Sequence, residues 1–251
     1  MNPTTERDIL EAIGAIQHKY RRGWQIRGIP DELGETVAAH SLKVLRAAFF
    51  YYGPDKKRSR GKAVDLGMWH DFAEGLEEDY LPGEVRPEEK QRLEGEAIRT
   101  ITKHSSKKGM VRRIWKEYDE QKTLEAQLVY QLDKLDPSVQ ALFYEENFGQ
   151  IERFYRDNPG RVADLKRRYP GVPEEGLFPA MRERLEEFYP HTREQLTDPL
   201  LITAFDELMK RERNGMDPYM KYYTLLMCKG DREKYGKMAE LMARKRERVQ
   251  K

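Results

Sequence analysis

Cysteine is almost missing from this chain of 251 residues: Cys228 stands alone. That excludes an internal disulfide framework and a cysteine-based zinc cluster, both of which need several thiols, and it predicts a reducing, cytoplasmic setting. Long apolar runs are missing too. The stretch Met1 to Ile16 carries Glu6, Arg7, Asp8 and Glu11 where a signal peptide needs an uncharged core, so neither a secretory leader nor a membrane anchor is expected. Nor is there an excess of one charge. With 46 Lys and Arg against 44 Asp and Glu, the formal net charge is +2. No global field recruits nucleic acid or an anionic membrane, and an anionic substrate must be attracted locally. Convincing strands, internal repeats and low-complexity tracts are also wanting.

What is present is helical periodicity on a densely charged background, with 38% hydrophobic and 36% charged residues. Apolar side chains recur at helical spacing in Ile9, Ile13 and Ile16, in Val37, Leu42, Val44, Leu45 and Phe49, and in Leu124, Leu128, Leu132 and Leu135. Breakers at Gly23 to Gly34, Gly53 to Gly61, Leu81 to Pro87 and Asn158 to Gly171 divide the pattern, and Glu35-Thr36 marks a helix start. The expectation is an all-α bundle of roughly eight to ten helices. Beyond about Pro190 the texture changes. Leu200 to Arg213, Asp217 to Cys228 and Asp231 to Lys251 read as further helices, so the chain divides into a main domain, 1–190, and a helical extension, 191–251. The extension packs on the main domain or on a partner subunit. Its basic end, Arg244 to Lys251, reads as a solvated helix end before it reads as a nucleic-acid contact.

Chemistry is suggested by His40 on one helix, an adjacent His70-Asp71 pair near the end of another, and Asp133 within a third, otherwise apolar helix. Nitrogen and carboxylate donors in that mixture suit a divalent cation such as Mn, Co, Zn, Ni or Mg. Such an ion makes water more acidic and polarises a phosphoryl oxygen, which is the chemistry of phosphate-ester hydrolysis. Each residue also has an ordinary explanation. His40 on an apolar face fits a hydrogen-bonded core histidine, and His70-Asp71 could simply end a helix. Asp133, flanked by Leu132 and Leu135, could be satisfied by Lys134 or a remote arginine.

In series, however, His40, His70-Asp71 and Asp133 resemble the H…HD…D signature of the HD phosphohydrolase superfamily. The run from His70 to Pro82 resembles the HD-x-A-E-x4-D-x2-P segment of its 5′-deoxyribonucleotidase branch. Arg22-Gly23-Trp24 is similar to that branch's R-(x)-GW element. Glu35-Thr36-Val37-Ala38-Ala39-His40 is similar to its E-S/T-V-x-x-H helix, and Glu125-Ala126 with Gln131-Leu132-Asp133-Lys134 to its E-A…Q-x-D-K helix. The likeness spans about residues 20 to 150. It implies an HD-domain helical bundle in which His40, His70, Asp71 and Asp133 bind one divalent metal. It implies also that Glu74 orients or deprotonates the attacking water, that Asp79 serves near the leaving oxygen, and that Arg22 and Trp24 meet phosphate and sugar.

The implied activity is removal of phosphate from nucleoside 5′-monophosphates, deoxyribonucleotides above all. An HD phosphodiesterase or triphosphohydrolase acting on another nucleotide is the first alternative. A nucleic-acid or protein binding module with an idle site, using the basic tail and the Lys56 to Lys62 loop, is the second. The chain departs from the branch at Glu78, where relatives often have glycine, and in the insert Asp55 to Lys62 and the extension. His104 is the one histidine between the HD pair and Asp133, and its Lys-rich surroundings favour one metal over two. Members of the family are often homodimers, and the apolar side of Leu200 to Cys228 is either an interface or core.

Overall fold

The computed structural model describes residues 6–53, 56–211 and 216–249, with side chains given up to residue 241 except at 232. Asp55, Arg213 and the side chains of the basic run Arg244 to Lys251 lie outside the described set. Among the described residues there are fourteen α-helices and no sheet, only an isolated antiparallel bridge between Tyr20 and Thr36. The helices are α1 (Arg7–His18), α2 (Arg22–Gln25), α3 (Val37–Tyr52), α4 (Lys57–Trp69), α5 (Pro87–Ile101), α6 (Lys108–Glu120) and α7 (Leu124–Glu146). They continue with α8 (Phe148–Asp157), α9 (Val162–Arg168), α10 (Leu177–Glu186), α11 (Phe188–Gln195), α12 (Pro199–Met209), α13 (Pro218–Cys228) and α14 (Arg232–Val249). None is long and apolar enough to cross a membrane.

Local chemistry sets the helix ends that matter. Thr36 accepts the Ala39 N–H and starts α3, Thr123 accepts the Ala126 N–H and starts α7, and Asp198 and Asp217 cap α12 and α13 ahead of Pro199 and Pro218. Two expected breaks are helical instead. α4 starts at Lys57 and runs through Gly61, so the basic insert is largely helix, and Lys62 pairs with Glu117 and Glu125. α9 occupies the middle of the Asn158 to Gly171 stretch. More and shorter helices than expected result, because single turns such as α2 carry too few residues to display a period.

Two apolar clusters form the interior. The larger draws Val44 and Ala47 from α3, Leu132 and Leu135 from α7, and Leu201, Phe205, Tyr222 and Leu226 from α12 and α13. The smaller joins Ile9 and Ile16 of α1, Val37 of α3, Phe72 and Ala73, and Ile98 and Trp115 of α5 and α6. α3 contributes to both, and His40 lies one turn after Val37 and one turn before Val44. The apolar side of α12 and α13 is therefore spent in the chain's own core. The division expected at 190 falls inside α11, whose Thr192 hydroxyl donates to the Lys134 carbonyl of α7.

Candidate metal centre and active site

Three elements bring the expected ligands together. α3 carries His40. α4 must approach α3 closely, because a Cβ on Gly67 would stand 3.0 Å from the backbone N and Cα of Leu45. That contact delivers His70 at the end of α4, and Asp71 enters a 3-10 turn, Phe72–Gly75, that bears Glu74. A second close approach seats the turn on α1: a Cβ on Gly75 would lie 2.8 Å from the Ala12 Cβ. Lys19 then fixes the turn from outside, donating to the Glu74 carbonyl at 2.7 Å and the Glu77 carbonyl at 2.5 Å. α7 supplies Asp133, whose carbonyl is denied its helical donor by Pro137 four residues on.

One donor atom from each of His40, His70, Asp71 and Asp133 lies within 4.8 Å of all the others. His40 Nε2 is 3.0 Å from Asp133 Oδ1, 3.4 Å from His70 Nε2 and 3.5 Å from Asp71 Oδ2. His70 Nε2 is 3.2 Å from Asp71 Oδ2 and 3.8 Å from Asp133 Oδ1. Ligands about 2.1 Å from a zinc-sized ion stand about 3.0 Å apart at right angles and about 3.4 Å apart at the tetrahedral angle, so these spacings fit one small divalent cation.

Proton accounting points the same way. His70 Nδ1 lies 2.9 Å from the Gly67 carbonyl, which can only accept, so the ring's N–H is there and its lone pair is on Nε2. His40 Nδ1 is 2.8 Å from Asp136 Oδ2 while its Nε2 faces Asp133. A neutral imidazole has one proton and cannot serve both carboxylates. With the proton on Nδ1, four acceptor atoms converge with no hydrogen between them, which is the electronic demand of a cation, and Asp136 takes the place of the carboxylate that orients a metal-bound histidine. Without the cation, His40 meets that demand by protonation. Burial and Arg21 oppose its charge, but hydrogen bonds to Asp133 and Asp136 outweigh them and raise its pKa to about 10. Burial likewise works against the Asp133 charge, yet Lys134 and His40 hold its carboxyl well below the ordinary range, and His70 does the same for Asp71.

Glu74 has the opposite character. It is 3% exposed, its Oε2 has no hydrogen-bond partner among the described residues, and burial, followed by repulsion from Asp71 and Asp79, pushes its carboxyl well above the usual range. An unpartnered acid beside a cluster of acceptors is a place for a polar ligand or water. Asp79, also buried, is pinned by the Arg22 N–H donating to its Oδ2 at 2.8 Å.

The two expected substrate contacts are not brought into this cluster by their side chains. The Arg22 guanidinium is held by both oxygens of Glu84 at 2.7 Å. Trp24 is 2% exposed, with its ring against Tyr144 and Phe188 and its indole N–H donating to Glu35 Oε2 at 2.7 Å. The neighbouring Arg21 is the one that reaches in: it donates to Asp71 Oδ2 at 3.1 Å, with Asp79, Glu35 and Glu74 also acting on its charge. Lys134 Nζ and the Tyr118 hydroxyl both donate to Asp133 Oδ2, at 2.8 and 3.0 Å. Arg21, Lys134, Asp71 and Tyr118 are partly exposed and mark the side open to solvent.

Other groupings do not compete. Glu35, His40 and Asp136 also converge, but the Lys43 ammonium already sits there, bonded to Glu35 Oε1 at 2.5 Å and to Gln140. His18, His104 and His191 are exposed.

An all-helical bundle presenting two histidines and two aspartates in this order defines a class: residues 13–165 match the model of the HD domain, and the chain belongs to that family. Among curated proteins it is 30% identical over 158 residues to the 5′-deoxynucleotidase HDDC2 of Xenopus laevis, covering 61% of this chain and 77% of that one. The human 5′-deoxynucleotidase HDDC2 is likewise 30% identical, over 61% of this chain and 76% of the relative. A solved structure of a conserved hypothetical protein from Pyrococcus furiosus superposes with a TM-score of 0.47 at 29% identity, over 56% of this chain and 82% of that one.

Proposed function

We propose that this chain removes phosphate from nucleoside 5′-monophosphates, deoxyribonucleotides among them, with one divalent cation held by His40, His70, Asp71 and Asp133. The observation that carries the reading is the convergence of four lone-pair atoms, which either a cation or an extra proton on His40 must reconcile, beside Glu74 Oε2, which has no partner among the described residues. Likeness to proteins named 5′-deoxynucleotidases supports the choice of substrate class. When bound, the cation supplies Lewis acidity toward a phosphoryl oxygen and makes water a better nucleophile at neutral pH. Mixed nitrogen and oxygen donors favour a borderline ion, with Mn and Co the first to try.

The chain's own residues divide the remaining work. Glu74 orients the attacking water; the positive charge of Arg21, joined by that of a bound cation, opposes the burial that protonates its carboxyl, and in the ionised form it accepts the water's proton as the new P–O bond forms. Arg21 and Lys134, at the open side, neutralise the phosphate that Asp71, Asp79 and Glu74 would otherwise repel. Asp79 is assigned to the departing 5′-oxygen, to which its carboxyl gives a proton as the old P–O bond breaks, regaining one from solvent after the product leaves. Trp24 shapes the pocket from behind, by fixing Glu35 and the backbone bridge that carries Arg21, rather than by touching the sugar. Arg22 contributes its N–H to Asp79. Phosphate release from a panel of mono-, di-, tri- and cyclic nucleotides in Mn, Co and Mg tests the reading. Turnover of monophosphates is expected; turnover confined to cyclic nucleotides or triphosphates replaces it with the phosphodiesterase or triphosphohydrolase alternative.

A further inference from the structure

The residues beyond the HD-domain match reach the centre. In α13, the Tyr219 hydroxyl lies 3.2 Å from Asp136 Oδ1 and 3.0 Å from Gln140 Oε1, while its ring faces the Lys43 ammonium at 4.6 Å. Asp136 is 1% exposed, and its other oxygen is the one that meets His40 Nδ1 at 2.8 Å. A carboxylate rotates about a single bond, and its angle fixes the plane of the imidazole it holds. The hydroxyl has one proton for two acceptors; Gln140 Oε1 already accepts from the Lys43 ammonium, so Tyr219 can give its proton to the far oxygen of Asp136 and set that angle. Its neighbour one turn on makes the contrast: Tyr222 is fully buried where Tyr219 is partly buried, yet the Tyr222 hydroxyl has no partner among the described residues, so α13 can pack a tyrosine into the core without this geometry.

We infer that Tyr219 is a positioning residue of the metal centre, orienting His40 through Asp136, so that the C-terminal helices are part of the site rather than an appendage. This rests on His40 being a ligand, as proposed above. The expected cost follows from the chemistry. Removing a carboxylate that orients a metal-bound histidine weakens metal binding about 10- to 100-fold. Removing a neutral hydrogen bond to that carboxylate weakens it about 3- to 10-fold.

The test uses the full chain, stripped with a chelator and titrated with Co²⁺ by calorimetry and by visible absorption, as wild type, Tyr219→Phe, Asp136→Asn, the double variant and Tyr222→Phe. Tyr219→Phe is expected to bind Co²⁺ about 3- to 10-fold more weakly with an altered absorption band, while Tyr222→Phe matches wild type. Because Tyr219 acts through Asp136, the double variant binds no more weakly than Asp136→Asn alone. Wild-type affinity and spectrum in Tyr219→Phe, with or without a fall in Tm, overturn the inference, as does strict additivity in the double variant. A wild-type protein that takes up no Co²⁺, Mn²⁺ or Zn²⁺ overturns the site itself, and that failure is visible before any variant is compared.

Discussion

A neutral imidazole has one N–H to give, and His40 is held between two carboxylates. That conflict separates the roles of the buried acids. Asp71→Ala is expected to abolish metal uptake and turnover together, measured by metal content and phosphate release, because it removes one of four convergent acceptors. Glu74→Gln keeps the metal but lowers kcat by about 10²- to 10⁴-fold, since it spares the ligands and removes the proton acceptor; normal turnover in this variant would dismiss its role. Arg21 and Arg22 offer a cleaner contrast. Arg21→Ala should raise KM for a monophosphate well above the effect of Arg22→Ala, because only the Arg21 guanidinium meets the cluster while that of Arg22 is spent on Glu84. At this scale the four residues that converge, and Glu74 near them, could be named from the sequence because each sits in a recognisable context. Arg21 was not: it precedes Arg22 in an unbroken basic pair, and nothing in the sequence says which of two adjacent side chains turns inward. Asp136 was missed for a similar reason, being one turn beyond Asp133 with no motif of its own.

Two helices that touch through glycine carry the HD pair to α3. Gly67→Ala would push a methyl against the Leu45 backbone, which cannot move aside as a side chain can. A loss of about 1–3 kcal/mol is expected by denaturant unfolding, with weakened metal binding because the Gly67 carbonyl also anchors His70. Trp24→Phe keeps the packing against Tyr144 and Phe188 but leaves Glu35 Oε2 without its donor. About 1–3 kcal/mol of stability should go, and an unchanged Tm would show that this buried bond does not hold the element in place. A helix start with a capping side chain could be read in advance, as at Thr36. The start of α4 could not, because its Lys and Arg residues and Gly61 carry the composition of a loop, and only packing against α3 and α7 makes them helical. The same holds for α9, whose seven residues between prolines and glycines show no period.

At the level of the whole molecule, the site lies where the two apolar clusters meet, and α12 and α13 complete the larger one. The change of texture after Pro190 predicts a helical extension, but α11 runs across that point. Where the later helices pack was not legible, because an amphipathic helix looks alike whether it covers its own chain or a partner's. A cation that binds only the folded form stabilises it by mass action, by about 2.7 kcal/mol at one hundred times Kd. For a chain of this size that is a rise of about 5–10 °C in Tm on adding metal to chelator-stripped protein, reversed by chelator. The most direct test of the account is a crystal structure grown with Mn²⁺, with anomalous scattering recorded to locate the ion. The account predicts a single strong peak in contact with His40 Nε2, His70 Nε2, Asp71 and Asp133, with His40 Nδ1 still on Asp136. A peak elsewhere, or none between these four residues at saturating Mn²⁺, would contradict it.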